Sequence, residues 1–116
     1  MPQLPVLDQC VLDDLGDELS SRDAAMRFAA IFADMLPQRI HDVEAAVRAG
    51  DRDAAVVALL NLNASATMVG ARRLEEASSR ALDVMGGPSM SGLPTLATRL
   101  HTLGLEFQSA LGGIIR

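Results

Sequence analysis

Hydrophobic residues recur every three or four positions in four stretches of this chain, the spacing that places side chains on one face of an α-helix. The pattern predicts a short helix from about Asp8 to Leu19, a long one from Arg22 to Arg48, a third from Arg52 to Leu82 or Val84, and a last one beginning near Leu93. Short connections between such helices favour an all-α, up-down-up-down four-helix bundle, with the short N-terminal helix as one of its helices.

Each predicted helix carries an apolar stripe that would face a shared core. The stripes comprise Val11, Leu12, Leu15 and Leu19 in the first helix; Phe28, Phe32, Met35, Leu36, Val43 and Val47 in the second; Ala55, Leu59, Leu62, Ala66 and Val69 in the third; and Leu96, Leu100, Leu103, Phe107 and Leu111 in the last. A single core of aliphatic side chains between closely packed helices is therefore expected.

Polar caps, glycines and prolines mark the expected helix ends. Asp8 and Asp51 can cap free amides at helix N-termini, and Gly50 can supply a left-handed C-terminal stop. Pro37 removes one backbone donor inside the second helix, which predicts a bend rather than a break. A run rich in Gly, Pro and Ser at residues 85–92 predicts a loop, and Gly112 and Gly113 are expected to loosen the end of the last helix.

The third predicted helix has an outward face without charge. No charged residue occurs between Ala54 and Ala71. Because successive residues turn by about 100°, Leu60 lies roughly opposite the core stripe, and Val57, Ala64, Thr67 and Ala71 group beside it. One exposed leucine would be unremarkable. A continuous uncharged strip, in a chain with many charges, predicts a surface that binds another protein or a second copy of this one.

Length and composition fit one small helical domain that spans residues 1–116. The net charge of −5 and the pI near 4.8 argue against a nucleic-acid partner. Cys10 is the single cysteine, so neither an intrachain disulfide nor a thiolate metal site is expected. The N-terminus lacks the features of a signal peptide, and polar residues interrupt the uncharged run, so no membrane association and a cytoplasmic location are expected.

The third predicted helix resembles the signature helix of histidine phosphotransfer (HPt) domains. The family pattern is His-x-hydrophobic-Lys-Gly-[Ser/Ala]-[Ser/Ala]-x-x-hydrophobic-Gly-Ala-x-x-Leu. Its second half fixes the register, and the residues that match are Leu62, Ser65, Ala66, Val69, Gly70, Ala71 and Leu74. Upstream, Phe32 to Ile40 and the turn Ala49-Gly50-Asp51 are similar to the preceding helix of the family and its end. The likeness covers about residues 8–83.

In this register, all three residues that carry the chemistry of the family are replaced. Leu60 occupies the position of the phosphorylated histidine, Asn63 that of the lysine, and Ala64 that of the glycine. Phosphotransfer needs an exposed imidazole as nucleophile, a nearby cation and a small neighbour that lets a receiver domain close over the site. Leucine has no nucleophile. The resemblance therefore implies a degenerate member, a pseudo-HPt protein that is not an enzyme and needs no cofactor.

The resemblance implies two-component signalling as the setting and the receiver domain of a response regulator as the partner. The predicted partner-binding face consists of Val57, Leu60, Asn61, Asn63, Ala64, Thr67 and Ala71. Two alternatives remain open. The same face could form a homodimer in a scaffold that no longer serves a phosphorelay. A displaced histidine, His41, could accept phosphate instead, because it lies as far before the Gly50-Asp51 turn as Leu60 lies after it.

Other chemistries have less support in the sequence. Asp13, Asp14, Asp17 and Glu18 form an acidic cluster, but no second cluster with ligand spacing accompanies it, so no metal site is predicted. His101 lies beside the apolar stripe of the last helix and is expected to be ordinary surface. No glycine-rich phosphate loop is present.

Overall fold

Five α-helices make up the fold. The structure is a computed structural model that describes residues 4–87 and 93–114. The helices are α1 (Gln9–Glu18), α2 (Arg22–Arg48), α3 (Arg52–Val69), α4 (Arg72–Met85) and α5 (Leu93–Ile114). Helices α2 to α5 each pack against the next in the chain, α5 closes the ring against α2, and α1 lies against α2 and α3. The described residues form no strand, and the prediction of an all-α bundle is confirmed.

The third helix was predicted to run without interruption from Arg52 to Leu82 or Val84, and this was wrong: the stretch forms two helices, the second of which ends at Met85, close to the predicted end. Gly70 ends α3 in the left-handed conformation with φ of 77°, and α4 begins at Arg72. Helical spacing of apolar residues continues on both sides of this turn, so periodicity alone does not reveal it. The chain reverses here, and α3 and α4 pack side by side. The four bundle helices are therefore α2 to α5, with α1 in addition.

The core stripe predicted for α3 is confirmed, since all five of its residues are buried. Phe32 of α2 and Phe107 of α5 meet edge to face, with ring centroids 5.4 Å apart. The stripe predicted for α2 was partly wrong. Met35 is 42% exposed, and α2 buries Ile40 and four alanines that were not in the stripe: Ala25, Ala29, Ala33 and Ala46. Small side chains let neighbouring helices approach closely. A search for large apolar residues overlooks such alanine positions. Leu19, at the end of α1, is also exposed.

The predicted caps are present in the structure. The Asp8 side chain accepts a hydrogen bond from the Cys10 amide at 3.0 Å, and that of Asp51 accepts one from the Ala54 amide at 3.1 Å. Gly50 has a φ of 67° at the end of α2. The last helix, by contrast, continues through both of its C-terminal glycines to Ile114, so they do not end it early. Most of the predicted loop, residues 88–92, lies outside the described residues.

Helix α2 continues through Pro37. In a regular helix the carbonyl of Ala33 would accept the amide of residue 37, but proline has none. The side chain of Gln108 on α5 supplies the missing donor, because its Nε2 lies 2.8 Å from the Ala33 oxygen. A side chain of α5 thus completes the backbone hydrogen bonding of α2.

Candidate protein-binding surface

The outward side of α3 is exposed and uncharged, as predicted. Val57 is 58% exposed, Leu60 52% and Met68 46%. The surface, called the α3 face below, consists of Val57, Leu60, Asn61, Ala64, Thr67 and Met68, all of them exposed. Met68 was missing from the predicted face, although its position in the helix, four residues after Ala64, could have indicated it.

The charged residues of α3 lie only in its first turn. Arg52 turns toward the end of α4, where its guanidinium donates to the carbonyls of Met85 and Gly87. This contact joins the beginning of α3 to the end of α4. The α3 face itself contains no charged residue, so a partner could cover that face without removing a charge of α3 from water.

Ala71 is fully buried, and its assignment to the partner-binding face was wrong. That assignment assumed a helix that continues past residue 70. Because Gly70 ends α3, the angle of 100° per residue no longer gives the direction of the Ala71 side chain, which packs in the core.

Asn63 is half-buried, and its side chain points toward α4 rather than toward solvent. Its Nδ2 lies 3.0 Å from each of three acceptors, the Glu75 carbonyl oxygen and the hydroxyls of Ser78 and Ser79. Ser78 itself is fully buried. The amide therefore ties α3 to α4, and its donors are used within the domain. Asn63 was predicted to belong to the partner-binding face, and the structure instead directs its amide toward α4.

The Gly70-Ala71 pair, which sets the register of the family resemblance, has a structural explanation in this chain. A Cβ added at Gly70 would lie 2.4 Å from the carbonyl oxygen of Asp8. The Asp8 amide donates to the Gly70 carbonyl at 2.8 Å, and the Asp8 carboxylate pairs with Arg72 at 3.0 Å. The segment that leads into α1 thus packs directly on the α3–α4 turn, where only glycine fits.

Helix geometry places a cationic side chain of α2, that of Arg39, on the flank of α2 that packs against α3. Contacts with α5 come from one flank of α2, at Ala33, Pro37 and Glu44. Arg39 follows the buried Leu36 by three residues, so it is rotated by about −60° from Leu36 around the helix axis. Pro37 and Glu44 are rotated from Leu36 in the opposite sense, and Arg39 therefore lies on the other flank of α2, where α3 packs. Arg39 is half-buried. Its guanidinium contacts the sulfur of the exposed Met35 at 4.0 Å.

Neither histidine lies on the α3 face. His41 is exposed, as predicted. It is four residues from Pro37 and three from Glu44, and helix geometry therefore places it on the α5 flank of α2. His41 lies at the level of Leu60 along the bundle axis, but on a different side of the bundle from the α3 face. His101 is exposed, as expected, and its Nε2 pairs with the carboxylate of Glu44 on α2.

Among residues 4–87 and 93–114, no group of three or more His, Cys, Asp or Glu side chains could hold a metal ion. Cys10 is exposed and is not part of a disulfide. No helix in the described ranges has both the length and the hydropathy that a bilayer crossing requires.

Comparison with known proteins supports the fold directly. The chain is similar to the crystal structure of the HPt domain of an HPt sensor hybrid histidine kinase from Shewanella, with a TM-score of 0.77 at 13% sequence identity. The alignment covers 95% of this chain and 93% of that one. No protein-family model matches the sequence, and no curated protein matches it. The chain therefore has the helical bundle fold of an HPt domain.

Proposed function

We propose that this protein is a non-phosphorylating HPt-like module that binds the receiver domain of a response regulator through the α3 face. The observation that carries the proposal is the exposure of Leu60 at the centre of an uncharged helix face, within a fold shared with a phosphotransfer domain. HPt domains of two-component systems meet receivers through the helix that bears their histidine. A surface with the same placement but no nucleophile would bind the receiver and relay no phosphate.

The chemistry of the α3 face favours binding over transfer. A leucine side chain cannot accept a phosphoryl group, and the amide of Asn63 is held by α4 and carries no charge. Ala64 is exposed and small, so the backbone of α3 stays accessible beside Leu60. The module would act by occupancy, since a receiver bound at this face is kept from its phosphate donor or from its own target.

Restoring the histidine is the experiment that tests this proposal. The wild-type protein, mixed with a phosphorylated receiver domain that it binds, should acquire no phosphate. Leu60→His places an exposed imidazole at the family position and should acquire acid-labile phosphate from the same receiver, as detected by radiolabel or Phos-tag electrophoresis.

Val57→His is the matched control, because it places a histidine on the same face about one turn earlier. It should remain unlabelled. Labelling of both variants, or of neither, would contradict the register that places Leu60 at the histidine position. Labelling of the wild type that disappears in His41→Ala would favour the displaced histidine instead.

Sedimentation tests whether the α3 face binds a second copy of this chain. Under the proposed function the wild type is a monomer at micromolar concentration, and Leu60→Asp changes only receiver binding. The substitution should abolish that binding, because an interface would have to bury an unpaired carboxylate at a cost of several kcal/mol. A wild-type dimer that Leu60→Asp converts to a monomer would support the homodimer and count against the proposal.

A further inference from the structure

We infer that Arg39 on α2 supplies the cation of the receiver-binding surface and binds the acidic phosphorylation site of the receiver. The inference rests on the proposed function and specifies how the partner would be recognised. In the HPt pattern the cation comes from the histidine-bearing helix itself, at the position that Asn63 occupies here. The position has lost its charge, and its amide points toward α4.

The position of Arg39 along the bundle matches the centre of the α3 face. Helices α2 and α3 are joined by a tight turn at Gly50 and pack against each other. Arg39 precedes the Gly50-Asp51 turn by as many residues as Leu62 follows it, and both helices rise by about 1.5 Å per residue, so Leu60 and Asn61 lie within about 3 Å of its level. The guanidinium therefore lies close to the level of Leu60 and Asn61, on the flank of α2 that meets α3.

The hydrogen-bonding capacity of Arg39 is largely unused within the part of the chain that the structure describes. Its Nε is shielded from solvent and has no hydrogen-bond partner there, and its only polar contact is the Met35 sulfur. Asp42 lies one turn further along but accepts a hydrogen bond from Gln38, and it makes no ion pair with Arg39 among the described residues. Of the nine arginines in those ranges, four have carboxylate partners, Arg48, Arg72, Arg73 and Arg80, and Arg39 is among the five that do not.

These observations favour an acidic partner over a second copy of this chain. A guanidinium presents several donors in a fixed plane and binds carboxylates in pairs of parallel hydrogen bonds. The α3 face next to it is uncharged, so a second copy would offer Arg39 no carboxylate from that face. A receiver presents the aspartate that carries its phosphate. Apolar contact with α3 and an ion pair with Arg39 would together position that site over Leu60.

The test is the binding of Arg39→Gln to purified receiver domains encoded in the source genome, measured by titration calorimetry at several salt concentrations. For a receiver that the wild type binds, Arg39→Gln should weaken affinity by about tenfold or more and reduce its dependence on salt. Arg39→Lys keeps the charge and should recover part of the affinity. Arg48→Gln is the matched control, because Arg48 lies on the same helix, pairs with Glu44 and is on the α5 flank. It should bind as the wild type does.

The failure of this inference can be told apart from failure of the proposed function. If Arg39→Gln binds with wild-type affinity and salt dependence while Leu60→Asp abolishes binding, the role of Arg39 is overturned and the receiver-binding function stands. If the wild type binds no receiver, both are overturned. Circular dichroism and thermal melting of Arg39→Lys and Arg39→Gln separate a loss of folding from a loss of contact. An Arg39→Lys variant that is folded but fails to recover affinity also contradicts the inference.

Discussion

Leu62→Glu is expected to unfold the domain. Leu62 has no solvent exposure and lies in the core stripe of α3. The substitution removes a buried aliphatic side chain and places a carboxylate where the core offers it no partner, at a cost of about 4 kcal/mol or more. Domains of this size are stable by only ~5–15 kcal/mol. Circular dichroism should therefore show loss of most helical signal, or a melting transition that is much lower and broader.

Ala64→Glu is the matched control, two residues further along the same helix but on the exposed side. It introduces the same carboxylate into water, and stability should change by no more than about 0.5 kcal/mol. Receiver binding should nevertheless be lost, as it should in Thr67→Arg, because an interface would have to bury the new charge. Unfolding of Ala64→Glu as readily as Leu62→Glu would mean that the orientation of α3 is wrong.

Gly70→Ala is expected to have the second large effect on stability. A non-glycine residue in the left-handed conformation costs about 1–2 kcal/mol. The new Cβ would also lie 2.4 Å from the Asp8 carbonyl oxygen, so the segment before α1 would have to move. The combined loss should be about 2–4 kcal/mol. Urea unfolding should report it as a lower midpoint with an unchanged slope.

Gly50→Ala isolates the contribution of that contact. Gly50 has a similar backbone conformation, with φ of 67°, but a Cβ at this position would meet nothing within 4 Å. It should therefore show the conformational cost alone, about 1–2 kcal/mol. Equal losses in the two variants would contradict the packing of the Asp8 segment on the α3–α4 turn.

Helix identity and most helix ends could be predicted because local chemistry determines them. The bounds of α2 follow from its apolar spacing and from Gly50, and the caps at Asp8 and Asp51 follow from their side chains. The reversal at Gly70 could not be predicted from spacing, since apolar residues continue at helical intervals on both sides. What requires glycine there is the carbonyl of Asp8, about 60 residues away in the chain, and a contact at that separation leaves no local pattern.

The candidate site was predictable only in part for the same reason. Exposure of Val57, Leu60 and Ala64 follows from their angle to the core stripe within one helix. Asn63 and Ala71 were assigned to the surface on the assumption of a continuous helix. Their actual surroundings depend on α4, whose position follows from the turn at Gly70 that was not predicted. Arg39 was missed because it belongs to a different helix, and its nearness to the α3 face depends on how α2 and α3 pack.

The hydrogen bond from Gln108 to Ala33 has a consequence for the order in which the chain can acquire its native structure. During synthesis α2 emerges long before α5, and until Gln108 arrives the carbonyl opposite Pro37 has only water as a donor. The α2–α3 and α3–α4 hairpins can form from contacts between neighbouring segments, while the middle of α2 stays hydrated. Docking of α5 then brings the Gln108 side chain to the Ala33 carbonyl. Hydrogen exchange on nascent-length fragments should accordingly show that the amides around Pro37 gain protection last, together with those of α5.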